Sequence, residues 1–358
     1  MTAMSEAEII CERRGASGTV FLNRPQALNA ITLNMVRQLT RALDKWEHDS
    51  AIQNVVVSAA ESKAFSAGGD IRLLYEQGRA GDHAAQLDFW REEYRLNRRI
   101  RLYSKPYIAL VDGIVMGGGV GVSLHGSHRI AGDKFSFAMP EVGIGFFPDV
   151  GATYFLPRLP GKTGMYLALT GARADAGDAV HLGLASVYIK SSLFNDFTKA
   201  LSEGEPADDA VARSRSDIPP GPITANRVLI DRCFAGSGAG EILACLDAES
   251  SSFAADAARA MRGKAPLSLS IAYRQMTVDG NLSIDEAMQR EFRIVSRVCR
   301  GTDFYEGIRA TILDKDFAPH WSHRSLDEID PEEVDTYFAP LGADELTFEN
   351  ARAREAVF

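Results

Sequence analysis

Glu141 and Asp149 are the only carboxylates between Met139 and Gly151, where every other residue is apolar or glycine. Two acids in so dry a segment are costly unless each is paired or hydrogen-bonded. Their retention points to acid–base or nucleophilic work. About twenty residues upstream stands the triple glycine Gly117–Gly119, and further upstream Gly68-Gly69-Asp70 closes a second glycine-bearing turn. Backbone N–H groups without side chains over them approach a ligand closely, and those at a helix start favour negative charge. Two such loops could converge two amides, which is what an oxyanion hole requires. Each feature also has a plain reading. The glycines could serve strand-to-helix turns, Asp70 could cap the helix after it, and Asp149, following Pro148, could cap a short helix.

These groups need a scaffold, and the first two hundred residues supply an alternating pattern. Thr19–Leu22, Asn54–Ser58, Tyr107–Val111, His128–Ala131, Phe135–Phe137 and Ala185–Ile189 read as strands. Leu33, Val36, Leu39, Leu43 and Trp46 recur at helical spacing behind Thr32, an N-cap type. A helix is also expected from Gly118 to His125. Strands alternating with helices imply an α/β core. Residues 202–222 are rich in polar and breaker types, including Pro219, Pro220 and Pro222, and read as a linker. The chain is thus expected to divide into an α/β core over 1–201, a polar, Pro-rich linker over 202–222, and a mostly helical region over 223–358. In the last, Ile284, Met288, Phe292, Val295 and Cys299 form one stripe.

With 358 residues, 46% of them hydrophobic, the chain can bury a large core. Its net charge of −9 argues against a nucleic-acid binder. Cys11, Cys233, Cys245 and Cys299 are widely spaced and make no zinc or thioredoxin motif. They fit a reducing compartment. Glu6, Glu8 and Glu12 disfavour a presequence, and no run reaches the ~18 apolar residues of a membrane span. A cytoplasmic protein with no membrane partner is expected.

Several partial motifs fail. Leu156 replaces the first glycine that a P-loop ending at Gly161-Lys162-Thr163 requires. His125 replaces the last glycine of a nucleophile elbow around Ser123, and Pro148 the third glycine of a dinucleotide fingerprint. His125 and His128 lack partners at metal-ligand spacing and read as structural. Glu92 and Glu93, among Arg91, Arg95, Arg98 and Arg99, read by themselves as part of a solvated helix face.

Three segments, Asn23–Ala30, Ala64–Ile71 and Gly113–Gly119, resemble the enoyl-CoA hydratase/isomerase (crotonase) superfamily. Arg91–Asn97, Phe137–Glu141, Gly145–Gly151, Gly301–Ala310 and Leu313–Asp316 extend the likeness to its thioester-hydrolysing branch, over nearly the whole chain. The resemblance implies a crotonase-like (ClpP-like) spiral of ββα units carrying an acyl-CoA site. It implies an oxyanion hole from the N–H groups of Gly69 and Gly118, with Glu141 and Asp149 catalytic. It also implies substrate contacts from Glu93 and Ala67, with Arg72 a phosphate or adenine contact. The hydratases carry a catalytic Glu two residues after the triple glycine, and here that position is Gly121. That puts ordinary hydration in doubt, and the reaction the resemblance implies is hydrolysis of 3-hydroxyisobutyryl-CoA, as in valine breakdown, with Glu141 attacking the carbonyl or activating water. No metal or redox cofactor is implied, because CoA is part of the substrate. Hydration, dienoyl-CoA isomerisation, non-catalytic acyl-CoA binding and a serine hydrolase built on Ser123 are the alternatives. A homo-oligomer stays open: the superfamily often forms trimers and hexamers, while a longer C-terminal part could cover those surfaces.

Overall fold

A computed structural model describes residues 7–277 and 282–348; Glu6 lies outside them. The strands are β1 (Ile9–Arg14), β2 (Ser17–Leu22), β3 (Asn54–Ala59), β4 (Ala64–Ser66), β5 (Tyr107–Val111), β6 (Ile114–Val115), β7 (His128–Ala131), β8 (Ser136–Phe137), β9 (Ala174–Asp175) and β10 (Val187–Tyr188). They form a six-stranded sheet in the order β1-β2-β3-β5-β7-β10 and a four-stranded sheet in the order β4-β6-β8-β9. The chain repeatedly runs through the large sheet, steps to the small one and then turns into a helix. β3, β5 and β7 are followed by β4, β6 and β8, which is the expected ββα spiral.

Side-chain alternation explains why the large sheet is buried on both faces. Val55, Val57, Ala109, Val111 and Ala131 face the main core, while Val56, Ile108, Leu110 and Ile130 face a second one. Parallel strands covered on both faces read as continuous apolar runs, as here. The second core is closed by Phe197, Leu201, Ala207 and Ala210. The last two lie on the helix Ala207–Ser214, inside the stretch expected as a linker.

The expected helix after Thr32 spans Leu33–Glu47, and the Thr32 side chain accepts from the Met35 N–H. The helix expected over 118–125 is shorter, Gly118–Gly121, followed by turns. Glycine favours helix continuation poorly. β1 was not foreseen, because as an edge strand it is mostly exposed and lacks an apolar run. β4, β6 and β9, of two or three residues each, are too short for a periodic signal.

The C-terminal region is mostly helical and packs on the core. The helix Ile284–Val298 opens with a capping box between Ser283 and Glu286 and buries Ile284, Met288, Phe292 and Val295. Arg98 of the helix His83–Arg101 pairs with Asp285 at 2.6 Å, tying the two regions together. Among the described residues no helix is long and apolar enough to cross a membrane.

Candidate active site

β4, β6 and β8 lie side by side and parallel in the small sheet. The loops leaving them carry Gly69, Gly118 and Glu141 respectively. The fold thus brings three segments, distant in sequence, to one end of one sheet. They line a cavity of about 340 Å³ with Ala67, Glu93 and Asp149. Phe89, Trp90, Phe146, Thr311 and Ile312 contribute to its walls, and Trp90 and Phe146 stack at 5.7 Å.

The first glycine loop is pinned by the Asn23–Ala30 segment. The Ala67 N–H donates to Leu28 O at 3.0 Å, the Ile31 N–H to Gly68 O at 2.8 Å, and the Asp70 N–H to Ile31 O at 2.9 Å. Asn29, left-handed at φ +54°, donates through its amide to Ala64 O at 3.1 Å. Asp70 does cap the following helix, accepting from Leu73, and pairs with Arg24 at 3.0 Å. In this arrangement the Gly69 N–H donates to no backbone acceptor among the described residues, and neither does that of Gly118. The two amides are close: a Cβ on Gly118 would stand 3.3 Å from Gly69 N and 2.5 Å from Glu93 Oε1. Gly117, at φ +43°, lies backbone against backbone with Gly68, where an added Cβ would be 3.3 Å from Gly68 Cα. No side chain fits between the loops.

Three carboxylates face this space. Glu141 opens the 3-10 turn Glu141–Ile144 and is 7% exposed; Asp149 is 4% and Glu93 2% exposed. Asp149 is not a helix cap: Gly151 holds that position, and the carboxylate accepts from Tyr94 Oη at 2.9 Å. Glu93 is likewise not part of a solvated face. Its neighbour Glu92 takes the surface role, pairing with Arg37 at 2.6 Å. Oε2 of Glu141 and Oε1 of Glu93 have no hydrogen-bond partner among the described residues. Burial holds Glu141 well above the usual carboxylate range, with the Asp149 charge adding to it, while Lys264 and nearby N–H groups oppose. Burial and the Asp149 charge raise Glu93 in the same way. Asp149 is pushed up to about 7 by burial, against the pull of Tyr94. An acid whose charged form is disfavoured by burial, beside others of like charge, is the pattern of a tuned reactive group.

Arg72 is the one expected contact that the cavity does not include; it is exposed on the helix Ile71–Arg79. Three contributors escaped sequence reading. Tyr94 reaches Asp149 from one turn beyond Trp90 on the same helix, and Lys264 and Ile312 enter the cavity from the C-terminal region. Gly143 leaves room for Lys264, whose Nζ would be 3.2 Å from a Cβ there. Only the i, i+4 spacing of Trp90 and Tyr94 was a usable signal.

The space beside Gly121 belongs to Asn97, since a Cβ on Gly121 would stand 2.6 Å from Asn97 Nδ2. Ser123 is fully buried and donates back to Gly119 O at 2.6 Å, away from the cavity lining. The imidazoles are structural: His125 Nε2 bonds Val150 O at 2.7 Å and His128 Nε2 pairs with Asp208. Cys233 and Cys245, on consecutive helices, meet and place ligand atoms with Glu249 within 4.8 Å. Their sulfurs are 2.6 Å apart, closer than two thiolates sharing a tetrahedral zinc at ~2.3 Å each would sit. Glu249 is already paired with Arg232 at 2.5 Å.

Residues 17–338 match the family model described as enoyl-CoA hydratase/isomerase. The chain is 40% identical over 356 residues to a Danio rerio protein named "3-hydroxyisobutyryl-CoA hydrolase, mitochondrial", covering 97% of this chain and 93% of that one. It is similar in structure to an enoyl-CoA hydratase from Rhodobacter sphaeroides, with a TM-score of 0.91 and 41% identity, covering 96% of this chain and all of the other. A carnitinyl-CoA dehydratase from Mycobacterium thermoresistibile superposes with a TM-score of 0.92 at 38% identity, again over 96% of this chain and 100% of the other. The glycine loops, the sheet that aligns them and these likenesses agree: the chain belongs to the enoyl-CoA hydratase/isomerase family.

Proposed function

We propose that the protein hydrolyses 3-hydroxyisobutyryl-CoA to 3-hydroxyisobutyrate and CoA. One observation carries the reading. Glu141, Asp149 and Glu93 share a cavity with the unengaged amides of Gly69 and Gly118, while Asn97 fills the place a second hydratase acid would need. Near-full-length relatives bearing the hydrolase name support it.

The Gly69 and Gly118 N–H groups receive the thioester oxygen and act on the charge that grows there. An oxygen of Glu141 attacks the carbonyl carbon, the C–S bond breaks, and CoA leaves as a thiolate that takes its proton from solvent. Water then attacks the mixed anhydride. Glu141 regains its carboxylate, and the acid product leaves with one oxygen from water. Asp149 and Glu93 orient that water and the 3-hydroxyl. The apolar wall of Trp90, Phe146 and Ile312 accommodates the branched acyl group. A place in valine breakdown and a cytoplasmic location belong to the same proposal. Four free thiols fit a reducing compartment, while the relatives are named mitochondrial.

The test is CoA release over a panel of short 3-hydroxyacyl thioesters with wild type and Glu141→Ala. The 3-hydroxyisobutyryl ester is expected to turn over best, and the variant to lose at least about 10²-fold. Near-wild-type turnover by the variant would remove Glu141 from the mechanism. Turnover of an enoyl-CoA without CoA release would favour hydration.

A further inference from the structure

Behind the cavity lies a further buried carboxylate, one that the chemistry above does not use. Glu291, fully buried on the helix Ile284–Val298, accepts from the Gly151 N–H at 2.7 Å through Oε2 and from the Thr153 N–H at 2.8 Å through Oε1. Gln275, from the neighbouring helix Pro266–Met276, donates through Nε2 to Pro148 O and to Thr153 Oγ1, each at 2.6 Å. From the opposite side His125 Nε2 meets Val150 O at 2.7 Å. The turn under this grip is strained. Val150 stands at φ +51° and Gly151 at φ +90°, and a β-branched residue in the left-handed region persists only where its surroundings over-determine it.

We propose that Glu291 is a positioning residue for Asp149: its paired hydrogen bonds, seconded by Gln275, lock the Val150-Gly151 turn and so hold the Asp149 carboxylate against Tyr94 and toward the cavity. The relation is geometric before it is electrostatic, since Glu291 bonds the residues on the far side of the turn and leaves the Asp149 carboxylate to Tyr94. The two charges do sense each other. Burial pushes Glu291 up to about 8 with the Asp149 charge adding to it, while the two backbone N–H groups pull the other way. An acid in so unfavourable a place is held there by what it bonds. The C-terminal region thereby becomes part of the reaction centre without touching substrate. The catalytic consequence rests on the thioester reading of the cavity; the positional one does not.

The test uses the full chain and Glu291→Gln. This change keeps the volume but turns one acceptor oxygen into an NH₂ facing a backbone N–H. Crystal structures of wild type and E291Q are compared first. The Asp149 carboxylate is expected to leave hydrogen-bond distance of Tyr94 Oη in the variant; an unchanged Tyr94–Asp149 contact overturns the proposal. That readout needs no turnover, so it decides the point even if CoA release is absent and the hydrolase reading falls. With CoA release present, E291Q is expected to lose roughly tenfold in kcat with KM within about threefold. The double variant D149N/E291Q should be no slower than D149N, because residues acting through one group are not additive. Fully additive losses, the mark of a merely structural role, overturn it. If E291Q does not fold, Gln275→Met removes the Pro148 and Thr153 contacts without a charge change and carries the same expectations.

Discussion

The Tyr94 hydroxyl donates to Asp149 Oδ2 across 2.9 Å, deep inside the molecule. Asp149 has this side-chain donor, whereas Oε2 of Glu141 and Oε1 of Glu93 have no partner among the described residues. A phenol donating to a carboxylate favours the charged form. Burial pushes Asp149 up to about 7 against the pull of Tyr94, and it raises Glu141 and Glu93 well above the usual carboxylate range. The Asp149 charge presses on both.

That coupling gives a pH dependence. Attack or base catalysis by Glu141 needs its charged form, so CoA release should rise with pH. Its acid limb should lie well above the usual carboxylate range near ~4. In Asp149→Asn the negative charge that raises Glu141 is gone, so Glu141 ionises more easily. The limb of the remaining activity is expected to move toward lower pH. A kcat/KM profile for both proteins reads the shift, and an unmoved or upward-moved limb would contradict the coupling.

The same burial appears in stability. The Asp149 pKa is raised on folding, from 3.8 to about 7. The folded state therefore keeps a proton that the unfolded state sheds. The favourable contribution is complete below pH ~4 and is lost as pH climbs toward about 7. Asp149→Asn, neutral and of equal size, is expected to exceed wild type in stability by about 1–3 kcal/mol at pH 8, with the difference closing near pH 4. Urea unfolding at the two pH values measures it. His125 works in the other direction. Its pKa is lowered to about 4 by burial, so stability falls as pH drops from 6.5 toward 4.

Much of the site could be read from the chain because its motifs are local. Gly69, Gly118 and Glu141 each sit just beyond a strand, and the apolar setting of Glu141 and Asp149 marked them out. Tyr94, Gln275 and Glu291 were not legible as partners of Asp149. Their roles come from tertiary packing of helices 55 to about 140 residues away in sequence, and no periodicity encodes that. Glu93 and Asn97 show the same limit. On the helix they look like any charged or polar face, and only the glycines packed against them expose their burial. The short strands β4 and β6 escape propensity for want of length, although their order beside β8 in the sheet is what aligns the three cavity-lining segments.

Gly118→Ala tests the amide pair directly. The added methyl would stand 2.5 Å from Glu93 Oε1 and 3.3 Å from Gly69 N, between the two donors. The expected loss in kcat is about 10²–10³, the usual cost of one oxyanion donor. Gly69→Ala should lose less, since its methyl meets the Phe89 ring at 3.3 Å and not the other amide. The ratio of the two kcat values is the measurement; equal losses would mean that the spacing between the amides is not what matters.

Under the proposed hydrolase reading, Gly121 and Asn97 together separate this site from a hydratase. A glutamate at position 121 is not excluded by backbone geometry, because Gly121 has an ordinary helical conformation within Gly118–Gly121. It is excluded by packing: its Cβ would meet Asn97 Nδ2 at 2.6 Å and Oδ1 at 2.9 Å. Asn97 is itself fully buried, and both its side-chain polar atoms lack partners among the described residues. Overpacking and an uncompensated buried acid each cost about 1–3 kcal/mol or more. Gly121→Glu alone is therefore expected to be destabilised by more than ~2 kcal/mol and to hydrate no enoyl-CoA. Adding Asn97→Gly removes the obstructing amide and leaves room for the new carboxylate opposite Glu141. The double variant is expected to regain part of the lost stability and to show measurable hydration of a short enoyl-CoA, followed by loss of its conjugated absorbance without CoA release. A single G121E variant as stable as wild type would show that Asn97 yields freely and is no barrier to the second acid.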